Sequence, residues 1–532
     1  MLRNQIVKSI RLGDRGVNFW DALSLMGEGE AVLTQNCYWR HGLVMKKGSV
    51  KHSTTEVVAS KPIVGLHRFY YDTTGKVLLA TCGTLTKKMN DGTGAWTDVG
   101  APAATDSTPT YFTTWGALNK CYAGNGVQAP FIVTNAEVYA AFAAAPATSL
   151  MFLPYRDRLL SIDTATSDLR WSGSYDDTTW TTTAQAIKIP GAGKPTALAL
   201  HSLDNTDTGI NAMALVTKQT SLYLFSGTDL NPAAGTYNGR LDPIGGGETV
   251  GCDAPRTIIN TPKGTIFLGT DHQVYLLPFG STKIEPIGHH LIRQDPTTST
   301  FLGLESMTTA NSPKACAAYH DGFYKLSFAT SGTANNVQYW LDVNRLGMNE
   351  GGHATPWYGP MVGMTISMFA LQNGVGDTNK LLGGNSGNLG FVYFLNDAGT
   401  YTDNGTAITE RFISRHEPNS GVDVRVMKTE IEMIDPDNTV ALSFLDTVGQ
   451  VSNTNQMPPG SSGSYFSEIY FGEAYFTSGD ALVRRTTEHY EHYIVGRMLA
   501  TSIVYTSSTD RIELQRIEHL AKPFRQIFQL RA

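Results

Sequence analysis

The residues that could do chemistry are acidic, histidine and glycine clusters, and the first question is whether any of them is spaced for a reaction. Glycoside hydrolysis needs two carboxylates about 5–9.5 Å apart in a cleft. Asp157, Asp163, Asp176, Asp253 and Asp271 are candidates, but no motif selects a pair, and each sits where a turn or hairpin tip would place a carboxylate. Two histidine groups invite a metal. His289-His290 are adjacent, and a strand would send them to opposite faces. Glu488-His489-Tyr490-Glu491-His492 spaces its histidines three apart, but the following Tyr493-Ile494-Val495 favours a strand, and the order is not HExxH. Neither Gly245-Gly246-Gly247 nor Gly383-Gly384-Asn385-Ser386-Gly387 is followed by the Lys-Ser/Thr of a phosphate loop. There is no GxSxG elbow and no cysteine-centred nucleophile motif. The sequence therefore assigns no catalytic residue, no cofactor-binding residue and no metal ligand, and the expectation is a protein that is not an enzyme.

Composition agrees with a scaffold. Charged residues are 17% of the 532, against about a quarter in ordinary domains, while the 53 glycines and 23 prolines ask for many turns. The formal net charge of -6 argues against a dedicated nucleic-acid binder. Basic residues come as doublets, Lys46-Lys47, Lys87-Lys88 and Arg484-Arg485, read as solvated faces. The five cysteines, Cys37, Cys82, Cys121, Cys252 and Cys316, are scattered, odd in number and form no CxxC, so free buried thiols are expected. The opening MLRNQIVKSIRLGDRG has no apolar run, so no secretory leader is expected, and no stretch reaches the ~20 apolar residues of a membrane span.

The elements that must carry these residues are short strands. In residues 154–180, PYRDRLLSIDTATSDLRWSGSYDDTTW, an apolar run turns at Asp163-Thr164-Ala165-Thr166, returns through Leu169-Arg170-Trp171 and ends on a polar tip at 174–179, expected to be free to meet a neighbour. Looser versions recur. Unit one holds GLHRFYY at 65–71 and KVLLATC at 76–82; unit two holds TYFTTW at 110–115 and APFIVTN at 129–135. The hairpin at 154–180 is the third. The fourth spans 197–227, the fifth 251–288, the sixth 314–359, and a weaker seventh 364–395. A period of roughly 40–50 residues with three or four strands per unit is that of a β-propeller, in which sheet buries sheet and few edges remain exposed. The alternatives are a large β-sandwich or an irregular solenoid. After residue 396 the strands lengthen, as in VRVMKTEIEMI at 424–434 and YFSEIYFGEAYF at 465–476, with a long polar loop at 457–463. The fold class expected is all-β: an N-terminal arm at 1–55 with a short helix around 28–35, a propeller of six or seven blades at 56–400, and a β-sandwich-like domain at 401–532.

Two resemblances follow. Ser174-Tyr175-Asp176-Asp177-Thr178-Thr179-Trp180 resembles the Asp-box turn of sialidase-type propellers, one residue short and with Thr178 where that turn has glycine; the Asp-box is a structural turn. More broadly, the Gly-Glu-Gly-Glu-Ala step at 27–31, Gln35-Asn36, the aromatic pair Tyr38-Trp39 and Gly42-Leu43-Val44-Met45-Lys46-Lys47-Gly48 resemble the opening of tailed-phage virion β-propeller proteins. Arg156-Asp157-Arg158-Leu159 with Arg170-Trp171-Ser172, Gly251-Cys252-Asp253-Ala254-Pro255 with 264–268, and Tyr339-Trp340-Leu341-Asp342 with Thr355-Pro356-Trp357 are similar to later blades of the same family, which includes the tail nozzle (tail tubular protein B-like) and tail hub proteins of short-tailed phages. The resemblance implies a virion protein of the tail, assembled in the host cytoplasm as a homo-oligomeric ring, hexameric by preference. Such a ring contacts portal or adaptor and tail fibre proteins, and genomic DNA passes through it without sequence-specific binding. It implies no cofactor. The alternative is a carbohydrate-binding or glycoside-hydrolysing propeller, and a third reading is a host-side scaffold for protein partners.

Overall fold

The structure is a computed structural model. It describes residues 6–23, 25–101, 106, 108–180, 185–202, 212–227, 230, 238–246, 249–293, 303–347, 355–387, 389–418, 424–434, 438–445, 451–457, 485–496 and 498–523. Gly247, Arg484, the strand expected at 465–476 and the loop expected at 458–463 lie outside these. Among the described residues the chain is all-β, with helix limited to single 3-10 turns, and no helix is long and apolar enough to cross a membrane.

Among the described residues, seven four-stranded antiparallel sheets follow one another along the chain. Sheet one runs Ile63–Tyr71, Gly75–Cys82, Leu85–Asn90 and Ala95–Asp98. The others begin at Tyr111–Trp115, Ser149–Tyr155, Pro195–Ser202, Ile259–Thr261, Cys316–His320 and Ile366–Gln372. These first strands adjoin in order, and Ile366–Gln372 comes back to adjoin Ile63–Tyr71. The seven units found in the sequence coincide with these sheets, an arrangement compatible with a β-propeller.

The packing follows from strand periodicity. Successive side chains point to opposite faces, and in Gly75–Cys82 both faces are covered. Leu78, Ala80 and Cys82 pack with Met368, Leu382 and Val392 of sheet seven, whereas Val77 and Leu79 pack with Cys121, Ala123 and Val133 of sheet two. This explains why Val77-Leu78-Leu79-Ala80 is continuously apolar rather than alternating. Each remaining junction has its own cluster: two with three around Tyr122 and Phe152, three with four around Trp171 and Phe225, four with five around Leu224 and Phe267. Five meets six around Leu276 and Tyr324, and six meets seven around Cys316 and Tyr393. All five cysteines are free and buried, four of them in these junctions and Cys37 in the core of the two sheets described below.

Sheet seven takes its fourth strand from the N-terminal region. Val50–Lys51 pairs with Tyr393 and Phe394, and the chain continues along the same edge, with His52 N donating to Val392 O at 2.9 Å and Val57 N to Gly390 O at 2.7 Å. A Cβ added at Gly384 would meet Ile63 at 2.6 Å, so the backbone of sheet seven approaches sheet one as closely as only glycine permits.

The remaining strands form two further sheets. One orders Cys37–Trp39, Leu43–Met45, Glu513–Pro523, Val424–Ile434 and Arg485–Gly496, with Ile6–Ile10 also on Glu513–Pro523. The other contains Gly16–Val17, Glu30–Gln35, Thr406–Ser414, Met498–Ser507, Val440–Leu445 and Val451–Met457. Both contribute to one core through Leu43, Ile431, Leu514, Phe412, Leu442 and Ile503, as two facing sheets must. Two expectations are corrected here. The residues expected to form a short helix around 28–35 are the strand Glu30–Gln35, because Ala31 and Leu33 to Gln35 pair with Arg411 to Ser414. The segment 1–55 is not a separate arm: its strands sit inside both C-terminal sheets and complete sheet seven. Asn36 marks the step from one sheet to the other, at φ 57, a left-handed conformation asparagine tolerates. Its amide donates to Thr409 O at 2.7 Å and accepts from Val362 N at 2.8 Å, tying the two-sheet body to the end of sheet six.

Candidate functional site

The five aspartates considered for hydrolysis are engaged separately. Asp163 accepts from Thr148 Oγ1 at 2.6 Å and pairs with Arg170 at 3.2 Å; Asp253 accepts from Ser312 Oγ at 2.6 Å; Asp271 accepts from Tyr275 OH at 2.5 Å. Asp157 lies 3.9 Å from its neighbour Arg158. Asp176 binds Thr178 N at 2.8 Å and Thr179 Oγ1 at 2.5 Å, and these hydrogen bonds hold its carboxyl below the usual range. Neighbours within four residues engage Asp157, Asp176 and Asp271, while Asp163 and Asp253 are held by more distant side chains, and none of these contacts brings two of the five together.

The tip at 174–179 is only partly free. Tyr175 is 64% exposed, but Asp177 is buried and reaches sheet two, accepting from Lys120 Nζ at 2.7 Å and Tyr122 OH at 2.8 Å. Burial, then the bond to Asp177, drives the Tyr122 phenol far above its usual range. Trp180 donates to the Asp177 carbonyl at 2.9 Å and packs edge-on to Phe142 and Phe152. The turn is a clamp between sheets two and three.

His289 and His290 lie in a 3-10 turn, His289–Leu291, rather than a strand, so their rings meet at 4.0 Å instead of diverging. Burial and then His289 lower His290 to about 4, which keeps it neutral at pH 7. His489 and His492 lie on the strand Arg485–Gly496, as their apolar follow-on implied. Among the described residues no group of three His, Cys, Asp or Glu could hold a metal ion.

The basic residues carry the feature that sequence reading missed. Lys46, of the doublet read as solvated, is buried, donates to Val362 O at 2.8 Å and pairs with Asp403 at 2.5 Å. Lys46, Lys47 and Lys325 line one pocket where sheets six and seven meet the 46–49 segment. Lys325 is 1% exposed in the middle of Phe323–Phe328, cross-strand from Trp340, with Nζ 4.1 Å from that ring centroid. Burial lowers it to about 7, a shift Asp321 only partly opposes. The one sequence signal was a lysine inside an apolar strand, Tyr324-Lys325-Leu326.

A second charged cluster closes the sheet succession. Arg68 of sheet one is buried, donates to both oxygens of Asp91 at 2.8 and 2.5 Å, and meets Asp377 of sheet seven at 3.0 Å. Lys76 and Tyr70 also bind Asp377, at 2.5 and 2.9 Å. Burial alone would raise the Asp377 carboxyl, but hydrogen bonds from Arg68 and Lys76 hold it well below the usual range.

No protein-family model matches this chain, and no curated protein matches it. Among solved structures, a computationally designed protein, Ika8, is similar over 64% of this chain and all of its own, at 10% identity and a TM-score of 0.34. A likeness of that level carries no argument about fold or function.

Proposed function

We propose that this chain is a structural component of a bacteriophage tail, a seven-bladed β-propeller joined to a β-sandwich that works in a nozzle or hub ring around the DNA exit channel. The observation that carries the reading is the return of the sheet succession on itself: seven sheets, a core at every junction, and a last sheet completed by strand Val50–Lys51. A wall that resists deformation needs this kind of both-faces burial. The aspartates weighed for hydrolysis are bound into turns and clamps, which suits a scaffold better than a reaction site. The resemblance of the N-terminal and blade patterns to those of phage nozzle and hub proteins supports this biological setting.

Charge supports passage of DNA without retention. Each phosphate neutralised by a lysine or arginine adds affinity, so a chain of net charge -6 with dispersed basic residues suits a channel that releases its cargo. In this reading the protomers form a homo-oligomeric ring, hexameric by preference, that docks portal or adaptor proteins on one side and fibres or other tail proteins on the other. Immunogold labelling of virions whose genome encodes the chain tests the assignment. Label at the tail is expected, and particles that never carry the protein contradict it.

A further inference from the structure

We propose that the pocket lined by Lys46, Lys47 and Lys325 binds a small oxyanion, a carboxylate or a phosphate. Lys46 has its counter-ion in Asp403 at 2.5 Å. No ion pair or hydrogen bond to Lys325 Nζ is present among the described residues, although its side chain is 1% exposed; it rests 4.1 Å from the Trp340 centroid. The nearby Asp321 makes no ion pair with Lys325 and acts on it only at longer range. An unpaired buried ammonium is costly, and an aromatic face offsets only part of that cost. Lys47, half-buried on the same wall, brings a second positive charge without an ion-pair partner among the described residues.

The polar lining is set to donate. Asn396 Oδ1 is taken by Lys47 N at 3.2 Å, leaving its Nδ2 as a donor. Gln338 Oε1 is taken by Trp340 Nε1 at 3.4 Å, leaving its Nε2 likewise. Ser49 adds a hydroxyl to the same lining. Two lysine nitrogens, two amide nitrogens and a hydroxyl, walled by methionine and leucine side chains, match the acceptor-only chemistry of an oxyanion, whose charge would favour the protonated form of Lys325. The same pocket lies between sheet six, sheet seven and the segment that supplies the closing strand, so an anion there would pin three parts of the molecule together. The inference does not depend on the ring assembly or on the tail.

Thermal unfolding of the full-length chain, with inorganic phosphate or acetate exchanged for chloride at constant ionic strength, tests it. The wild type is expected to show a saturable rise in Tm with at least one anion, as ligation of the native state requires. Response to phosphate alone assigns a phosphate source, and response to acetate alone a carboxylate source. Lys325→Met, unbranched, one atom shorter and uncharged, is expected to lose the saturable rise. Lys47→Gln is expected to weaken the apparent affinity about tenfold or more, the scale of one hydrogen bond to a charged group. Should Lys325→Met fail to fold, Lys47→Gln decides. A wild type unmoved by both anions overturns the proposal, as does a rise that survives unchanged in either folded variant, which is the general salt-exclusion effect.

Discussion

At the scale of single residues the molecule spends its charge on joints. Asp177 is the clearest case: a side chain that a turn motif would leave at a hairpin tip instead accepts from Lys120 and Tyr122 of the neighbouring sheet. Asp177→Ala leaves a buried phenol without a partner and is expected to cost about 2–3 kcal/mol in chemical denaturation, the range for hydrogen bonds to a charged group. A loss below about 0.5 kcal/mol would show the clamp to be idle. Glu410 makes the opposite point. It is buried on Thr406–Ser414 with neither carboxyl oxygen hydrogen-bonded, and burial pushes its carboxyl well above the usual range, only partly offset by the Cys37 thiol. The unfolded chain loses this proton near its ordinary value of about 4.3, whereas the folded chain keeps it. Stability that is full below that pH is therefore lost as pH rises toward the folded value. Glu410→Gln removes the proton-linked loss, so its urea midpoint is expected to fall less than the wild type's between pH 5 and pH 8. Parallel midpoints would contradict that. Neither role was visible in the sequence, because each depends on a partner that only the fold delivers.

At the scale of elements, what could be read locally was read correctly and what depended on distant pairing was not. The hairpin Arg158–Asp163 with Asp168–Trp171 declares itself by its turn residues, and its apolar side chains go to sheet junctions. Glu30–Gln35 is ambiguous by composition, since Glu, Ala, Leu and Gln favour helix while Val32 and Thr34 favour strand. The decision comes from Arg411 to Ser414, nearly four hundred residues away, which no local signal announces. The doublet Lys46-Lys47 fails for the same reason: Asp403 and Asn396, brought by the fold, draw it inward. The closing strand was likewise hidden, since Val50-Lys51 has no apolar run to mark it. His52→Pro deletes the donor to Val392 O and is expected to destabilise the chain by roughly 1–3 kcal/mol. Hydrogen exchange should rise first in Val392–Leu395 and in Ile63–Tyr71, and exchange that rises evenly over all seven sheets would show that this edge does not hold the seam.

At the scale of the whole molecule the seam between the first and last sheets is the feature on which the account rests. Arg68 stands there between Asp91 and Asp377. Arg68→Ala leaves the buried Asp377 without its main partner and is expected to cost about 3–5 kcal/mol, the range for breaking one side of a buried pair. Because the folded Asp377 carboxyl sits below its unfolded value of about 3.9, its contribution is present above that pH and is lost as pH falls through the folded value. The wild type should therefore lose stability in acid more steeply than Asp377→Asn. The succession of sheets was legible because each unit buries two faces locally, while the joining of the N-terminal strands to the C-terminal sheets was not, since it spans the length of the chain. The central claim concerns assembly around a channel, and cryo-electron microscopy of the full-length chain and of tail particles containing it tests it most directly. The account predicts rings, six protomers by preference, around an axial channel wide enough for duplex DNA; single protomers at every concentration, with no place in a particle, would contradict it.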